Sequence, residues 1–171
     1  EVKSLDSPER KIINLGIGSP DLSPSNEAIE ALNKTASDPG SHGYQSYKGL
    51  PVLREAIAGF SNRIYGSKLN PETEILPLMG SKEGIMHISL AFVNEGDRVL
   101  IPDPGYPTYS SVSKIVGAVQ ENYTVNSTGA SVIDIDELSD RNLEGCKILW
   151  LNFPHMPTGR KASRTELERL I

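Results

Sequence analysis

Apolar and polar positions alternate along this chain in two different rhythms, and the rhythms take turns. Ser25 heads a segment with Ala28, Ile29 and Leu32 at helical spacing, which predicts a capped helix with those three residues inward. Pro51 suits a first helical turn and precedes Leu53, Ala56, Ile57, Phe60 and Ile64, a second inward stripe. Ile75 to Met79 reads as a strand, and Pro77, which cannot donate to a ladder, places it at a sheet edge. Gly80 and Ser81 open a helix through Ile85, Met86, Ile88, Leu90, Phe92 and Val93 that is apolar nearly all round and so is expected to be buried.

The alternation continues to the end. Gly96 and Asp97 close that helix, and strands are expected at Arg98 to Ile101, near Val119 to Val125 and from Lys147 to Leu151. A helix around Tyr109 to Val116 and a short one after Asp134, with Glu137 as its capping partner, fill the gaps. Ser163 and Glu166 form a capping box for a last helix, whose stripe begins at Leu167, Leu170 and Ile171. Lys11 to Ile17 reads as a short extended segment. Strands alternating with helices predict an α/β fold with a mainly parallel sheet. The last helix reaches Ile171 without a C-cap and the chain has no initiating methionine, so these residues are expected to be a piece of a longer chain.

At 171 residues the chain is long enough to bury a core. A net charge of −5 argues against a nucleic-acid or anionic-membrane partner. One cysteine, Cys146, excludes an internal disulfide framework, fits a reducing cytoplasmic compartment and reads as a small core residue. No apolar run approaches transmembrane length.

Several motifs touch on chemistry. Asn152-Phe-Pro-His-Met-Pro-Thr-Gly159 is a stiff turn after a buried strand, where ligands of open α/β sheets sit. Gly80-Ser81-Lys82 joins a strand to a helix, and the free N–H groups of a helix start favour an anion; the same residues also describe a plain capped helix. Tyr106, fixed by Pro102, Pro104 and Pro107, could lie flat on a planar ring or cover the core edge. Gly16-Ile-Gly-Ser-Pro lacks the third glycine of a dinucleotide fingerprint and fits better as a turn offering the Gly18 N–H to a carboxylate. A Walker loop is absent, Ser111-x-x-Lys114 lacks its companion signatures, the aspartates at 134, 136 and 140 lack a calcium loop's glycine, and His42, His87 and His155 have no metal spacing.

Taken in order, Leu15-Gly-Ile-Gly-Ser-Pro-Asp21, Tyr44-Gln-Ser-Tyr-Lys-Gly-Leu-Pro-Val-Leu-Arg54, Gly80 to Gly84, Gly96-Asp97 through Pro104-Gly-Tyr-Pro-Thr-Tyr109, and Asn152 to Gly159 resemble the class I/II aminotransferases. These are fold-type I enzymes that use pyridoxal 5'-phosphate. The resemblance implies a partial three-layer α/β/α large domain, incomplete as given, with residues 1–45 as an N-terminal, substrate-side segment and 46–171 as the first part of the cofactor-binding domain. It implies that Gly18 offers backbone to the substrate α-carboxylate. Ser81 and Lys82 would hold the cofactor phosphate, and Tyr106 would stack on its ring. Tyr44 would reach the phosphate of a neighbouring subunit, which implies a homodimer. Met156 stands where the family's turn carries an asparagine, and methionine donates no hydrogen bond.

The family's pyridine-binding aspartate, Schiff-base lysine and carboxylate-binding arginine lie beyond this motif, so no catalytic residue is assigned among these residues. The implied activity is amino-group transfer between an amino acid and a 2-oxo acid, in the aspartate or LL-diaminopimelate branch. A lyase or decarboxylase on the same scaffold, and a non-catalytic ligand-binding relative, are the alternatives. The resemblance also implies that further strands separate 75–79 from the other three. The 171 residues expressed by themselves are therefore expected not to form a stable domain. A soluble monomer with a sharp cooperative melt would contradict this.

Overall fold

The computed structural model describes residues 7, 11–13, 16 and 18–171. The chain divides into one unit at residues 1–52 and another at 53–171. In the first, helix α1 (Asn26–Ala36) starts where Ser25 accepts a hydrogen bond from the Ala28 N–H, and a 3-10 turn (Pro39–His42) follows Asp38. The cap forms as expected, but Ala28, Ile29 and Leu32 are all exposed. Of the expected extended segment at 11–17, residues 14, 15 and 17 lie outside the described residues.

Helix α2 (Pro51–Tyr65) runs from the end of the first unit into the second. Its stripe is also largely uncovered: Leu53, Phe60 and Ile64 are 45%, 49% and 54% exposed. Periodicity sets which residues share a face, whereas burial needs a second surface against that face. The buried residue of α2 is Arg54, whose guanidinium donates to the Pro71 carbonyl and Glu72.

The second unit is built on a parallel sheet of three strands, β1 (Arg98–Asp103), β2 (Val119–Thr124) and β3 (Cys146–Leu149), in the order β2-β1-β3. The middle strand carries Val99, Leu100 and Ile101 in succession, and all three are buried. A strand apolar on both faces belongs between two layers. On one side Leu100 packs with Tyr123, Val125, Val132, Ile133 and, from helix α5 (Ile135–Ser139), Ile135 and Leu138. On the other, Val99 and Ile101 pack against Ile85 of helix α3 (Ser81–Phe92) and Tyr109 and Val112 of helix α4 (Pro107–Ile115). The expected α/β/α layering is present.

At the amino end of the sheet, Arg98 holds all three strands. Its guanidinium pairs with Glu121 on β2 and donates to the Glu144 carbonyl just before β3. Helix α6 (Arg164–Leu170) opens with the expected capping box, and Leu170 packs on the Leu100 side of the core.

Two expectations are corrected. Residues 75–79 form no strand. Pro77 withholds a donor, and no ladder partner lies alongside among the described residues; Leu78 instead packs against Gly84 of α3, and the Met79 N–H donates to Glu83. Helix α3 is not buried all round: Gly84, Ile85 and Ser89 are covered, while Ile88, Leu90 and Phe92 are exposed.

Glu166 ties α6 to the Leu100 side of the core, accepting from the N–H groups of Ser163 and Val132 and from the Ser131 hydroxyl. These donors, led by Ser163, lower its pKa from an ordinary 4.5 to about 2. A carboxyl depressed on folding contributes stability above its ordinary pKa, and that contribution is lost as pH falls through the folded value. Glu166→Gln is expected to lower stability at pH 7 by about 1 kcal/mol, discounted for solvent screening. It should also flatten the acid limb between pH 4.5 and about 2, read by thermal melts across pH.

Candidate functional site

A sheet ordered β2-β1-β3 reverses direction beside its first strand: the chain leaves β1 one way to make β2, then returns past it to make β3. Loops leaving the carboxyl ends of strands on either side of such a reversal diverge and open a crevice. Here those loops are 104–106, after β1, and 152–159, after β3. Tyr106 sits on the first and Met156 on the second.

The first loop is sterically fixed. A Cβ on Gly105 would lie 2.2 Å from the Pro102 carbonyl oxygen, so only glycine fits. Half-buried Tyr106 follows directly, meeting the Tyr109 ring edge-on at 5.9 Å and 81°. The Lys82 ammonium lies 5.8 Å from the centre of the Tyr106 ring, a cation over an aromatic face. Lys82 is on the first turn of α3, so this contact joins the α3 start to the β1 loop.

The α3 start is open. Gly80 has φ 127°, a conformation that L side chains rarely adopt, and no side chain caps the helix. Its first N–H groups, with the exposed Ser81 hydroxyl and Lys82 ammonium beside them, form a positive end suited to an anion such as a phosphate.

The turn after β3 is held from within. Asn152 Oδ1 accepts from the Met156 N–H at 3.2 Å, the His155 N–H donates to the Arg160 carbonyl, and the Gly159 N–H donates to the His155 carbonyl. The Arg160 guanidinium donates to the carbonyls of Asn126, Thr128, Gly129 and Ser131, anchoring the turn to the neighbouring loop. His155 is 2% exposed, with Nδ1 2.9 Å from the Thr158 hydroxyl, and among the described residues Nε2 makes no hydrogen bond. Burial holds its pKa below 6.5, partly opposed by the Pro104 backbone. Met156 is 52% exposed, so these two neighbours point apart, His155 inward and Met156 outward.

The family model described as aminotransferase class I and II matches residues 10–171. This chain belongs to the class I and II aminotransferase family. Its members are pyridoxal-phosphate-dependent. Two similar relatives are the LL-diaminopimelate aminotransferases of Dehalococcoides mccartyi (strain CBDB1) and Oleidesulfovibrio alaskensis. The first is 41% identical over 89% of this chain and 39% of the relative; the second is 40% identical over 94% and 41%. Among solved structures, N-succinyldiaminopimelate aminotransferase from Mycobacterium tuberculosis matches with a TM-score of 0.85 and 32% identity, covering 91% of this chain and 41% of that one. Alanine aminotransferase from Pyrococcus furiosus matches at 0.86 and 28%, covering 98% and 43%. The chain therefore spans about two-fifths of the length of the relatives it matches.

Within this chain, Ser81, Lys82, Tyr106 and Met156 all lie in the unit at 53–171, and Lys82 and Tyr106 are in contact. Gly18 and Tyr44 lie in the other unit; both are exposed, and a Cβ on Gly18 would meet nothing within 4 Å. Sequence reasoning missed the ring cluster behind Tyr106. Tyr109 stacks on Trp150 at 5.1 Å and 18°. Burial raises the Tyr109 pKa, with Asn152 opposing. The Tyr106-x-x-Tyr109 spacing was a local signal, since residues three apart share a helix face. Among the described residues, no cluster of three His, Cys, Asp or Glu could hold a metal.

Gly105→Ala is expected to displace the β1 loop and cost about 1–3 kcal/mol, read by thermal or denaturant melts. Gly43→Ala, at an exposed glycine with φ −75° and open space around it, is the control for glycine replacement and should cost less.

Proposed function

We propose that this chain is part of a pyridoxal 5'-phosphate-dependent aminotransferase that moves an amino group between an amino acid and a 2-oxo acid. The observation that carries the reading is the meeting of Lys82, at the uncapped start of α3, with the Tyr106 ring at the β1/β3 crevice. An anion-binding helix start and an aromatic face beside it match a cofactor with a phosphate at one end and a flat ring at the other. The residues present therefore fit the group, with one exception at the ring-oxygen edge, where Met156 offers a thioether and no donor.

The cofactor supplies the electron sink when bound. The chain's own residues bind and orient. The first N–H groups of α3, the Ser81 hydroxyl and the Lys82 ammonium hold the phosphate. Tyr106 supports the ring, worth about 1 kcal/mol beyond burial. Backbone at Gly18 receives the substrate α-carboxylate, and Tyr44 reaches the phosphate of the partner subunit in a homodimer. In this reading residues 1–45 serve the substrate side and 46–171 begin the cofactor domain. The names of the similar relatives support diaminopimelate as the amino donor. The single cysteine is compatible with a cytoplasmic setting, and among the described residues no helix is long and apolar enough to cross a membrane.

The test incubates the protein that carries this chain, loaded with pyridoxal phosphate, with 15N-labelled LL-diaminopimelate and 2-oxoglutarate. Appearance of 15N-glutamate is the expected result. Release of ammonia or carbon dioxide without transfer would point to a lyase or decarboxylase, and cofactor binding without turnover to a binding protein. Lys82→Ala is expected to weaken cofactor binding about tenfold or more, measured by equilibrium dialysis, because a charge-assisted phosphate contact is lost.

A further inference from the structure

Helices α6 and α3 both carry a glutamate at their third position, and they use it differently. In α6, Glu166 accepts from the N–H of the cap residue Ser163, and the Ser163 hydroxyl accepts from the Glu166 N–H, so the helix start is closed from both sides. In α3, Glu83 also reaches back, but its Oε2 accepts from the Met79 N–H at 2.7 Å, one residue before the cap position at Gly80. No side chain comes forward from Gly80 to meet the helix. The result is half a capping box, which fixes the approach to the turn and leaves the first N–H groups of α3 open.

A second contact holds the same approach. Leu78 lies so close along α3 that a Cβ on buried Gly84 would come 2.6 Å from Leu78 Cδ1. Residues 78 and 79 are thus tied to the first turn of α3 by packing and by a hydrogen bond, and between this tie and the helix the chain turns through Gly80 at φ 127°. Turned back onto the Met79 N–H, the Glu83 carboxylate leaves the neighbouring Lys82 ammonium facing the Tyr106 ring.

We propose that Glu83 is a positioning residue: by holding the Met79 N–H it sets the Gly80 turn so that the open α3 N–H groups converge on the cofactor phosphate. The proposal rests on the reading above, in which that phosphate lies at Gly80 to Lys82. The role is separable because of its sign. Glu83 puts a negative charge on the first turn of α3, within roughly a Debye length, about 8 Å, of a phosphate at that turn. As a charge alone it opposes the phosphate, so every neutral replacement should tighten binding about two- to threefold. As an acceptor it supports the phosphate, so a replacement that cannot accept from Met79 should weaken binding. Glutamine keeps an acceptor oxygen at the same reach and loses the charge, whereas alanine loses both.

The test compares Glu83→Gln, Glu83→Ala and Glu83→Asp with the parent in the protein that carries this chain. Equilibrium dialysis reads the dissociation constants of pyridoxal phosphate and of pyridoxal, the same ring without the phosphate, and thermal melts read stability. Glu83→Ala should weaken pyridoxal phosphate about three- to tenfold, leave pyridoxal within about twofold and melt within about 4 °C of the parent. Glu83→Gln should hold pyridoxal phosphate at least as tightly as the parent, because it keeps the acceptor and removes the repulsion. Glu83→Asp, one carbon shorter and still charged, should bind it no better than Glu83→Ala. A parent that binds no pyridoxal phosphate overturns both this proposal and the function it rests on. Where the parent binds it, Glu83→Ala matching or exceeding the parent overturns the positioning role alone, since only the charge then acts. An equal loss of pyridoxal phosphate and pyridoxal in Glu83→Ala, or a Glu83→Gln as weak as Glu83→Ala, overturns it too.

Discussion

Everything described at the candidate site depends on the burial of β1 from both faces. Val99, Leu100 and Ile101 are 2%, 3% and 5% exposed, and each such side chain contributes about 1.5–3 kcal/mol relative to leaving it in water. Because side chains alternate along a strand, Leu100 commits to one layer and its neighbours to the other. That requirement puts β1 in the middle. With β1 in the middle, β2 and β3 must lie on opposite sides of it, and the chain must reverse. The crevice is a consequence of this reversal.

The same frame explains why loops can carry the chemistry without being loose. The β1 loop is pinned by the close approach of Gly105 to Pro102 and the β3 turn by Arg160 and its four carbonyls, and behind Tyr106 the Tyr109 ring packs against both Tyr106 and Trp150. Polar groups that would otherwise be orphaned by burial find acceptors, as when the Tyr123 hydroxyl donates to the Trp150 carbonyl. Among the described residues the exception is His155 Nε2, which is buried in the turn without a hydrogen bond. Burial favours the neutral ring there, which lowers the cost of leaving one nitrogen unpaired.

How much of this was legible in the residues follows from how local each signal is. The caps at Ser25, Asp134 and Ser163 depend on a few consecutive residues, and all three form. The apolar run of β1 marked a buried strand, and the strand is there. Residues 75–79 carried an equally plausible run, but a strand exists only through its partner, and none lies alongside among the described residues. The stripes of α1 and α2 were read correctly as faces and wrongly as buried ones, because a face does not say what covers it. An ordered set of family motifs marked Ser81, Lys82 and Tyr106 as candidates, and the structure brings Lys82 and Tyr106 together. The stack of Tyr109 on Trp150 could not be marked in this way, since it exists only after β1 and β3 have paired and α4 has packed on the sheet.

The central claim is that the crevice between the β1 loop and the β3 turn is where a flat, phosphate-bearing cofactor sits. A crystal structure of the protein that carries this chain, grown with pyridoxal phosphate, tests it most directly. The account predicts the phosphate against the α3 start at Gly80 to Lys82, the ring on Tyr106, and no side-chain donor from Met156 to the ring oxygen. A cofactor bound away from Tyr106, or a phosphate that leaves the Ser81 hydroxyl and the α3 N–H groups untouched, would contradict it.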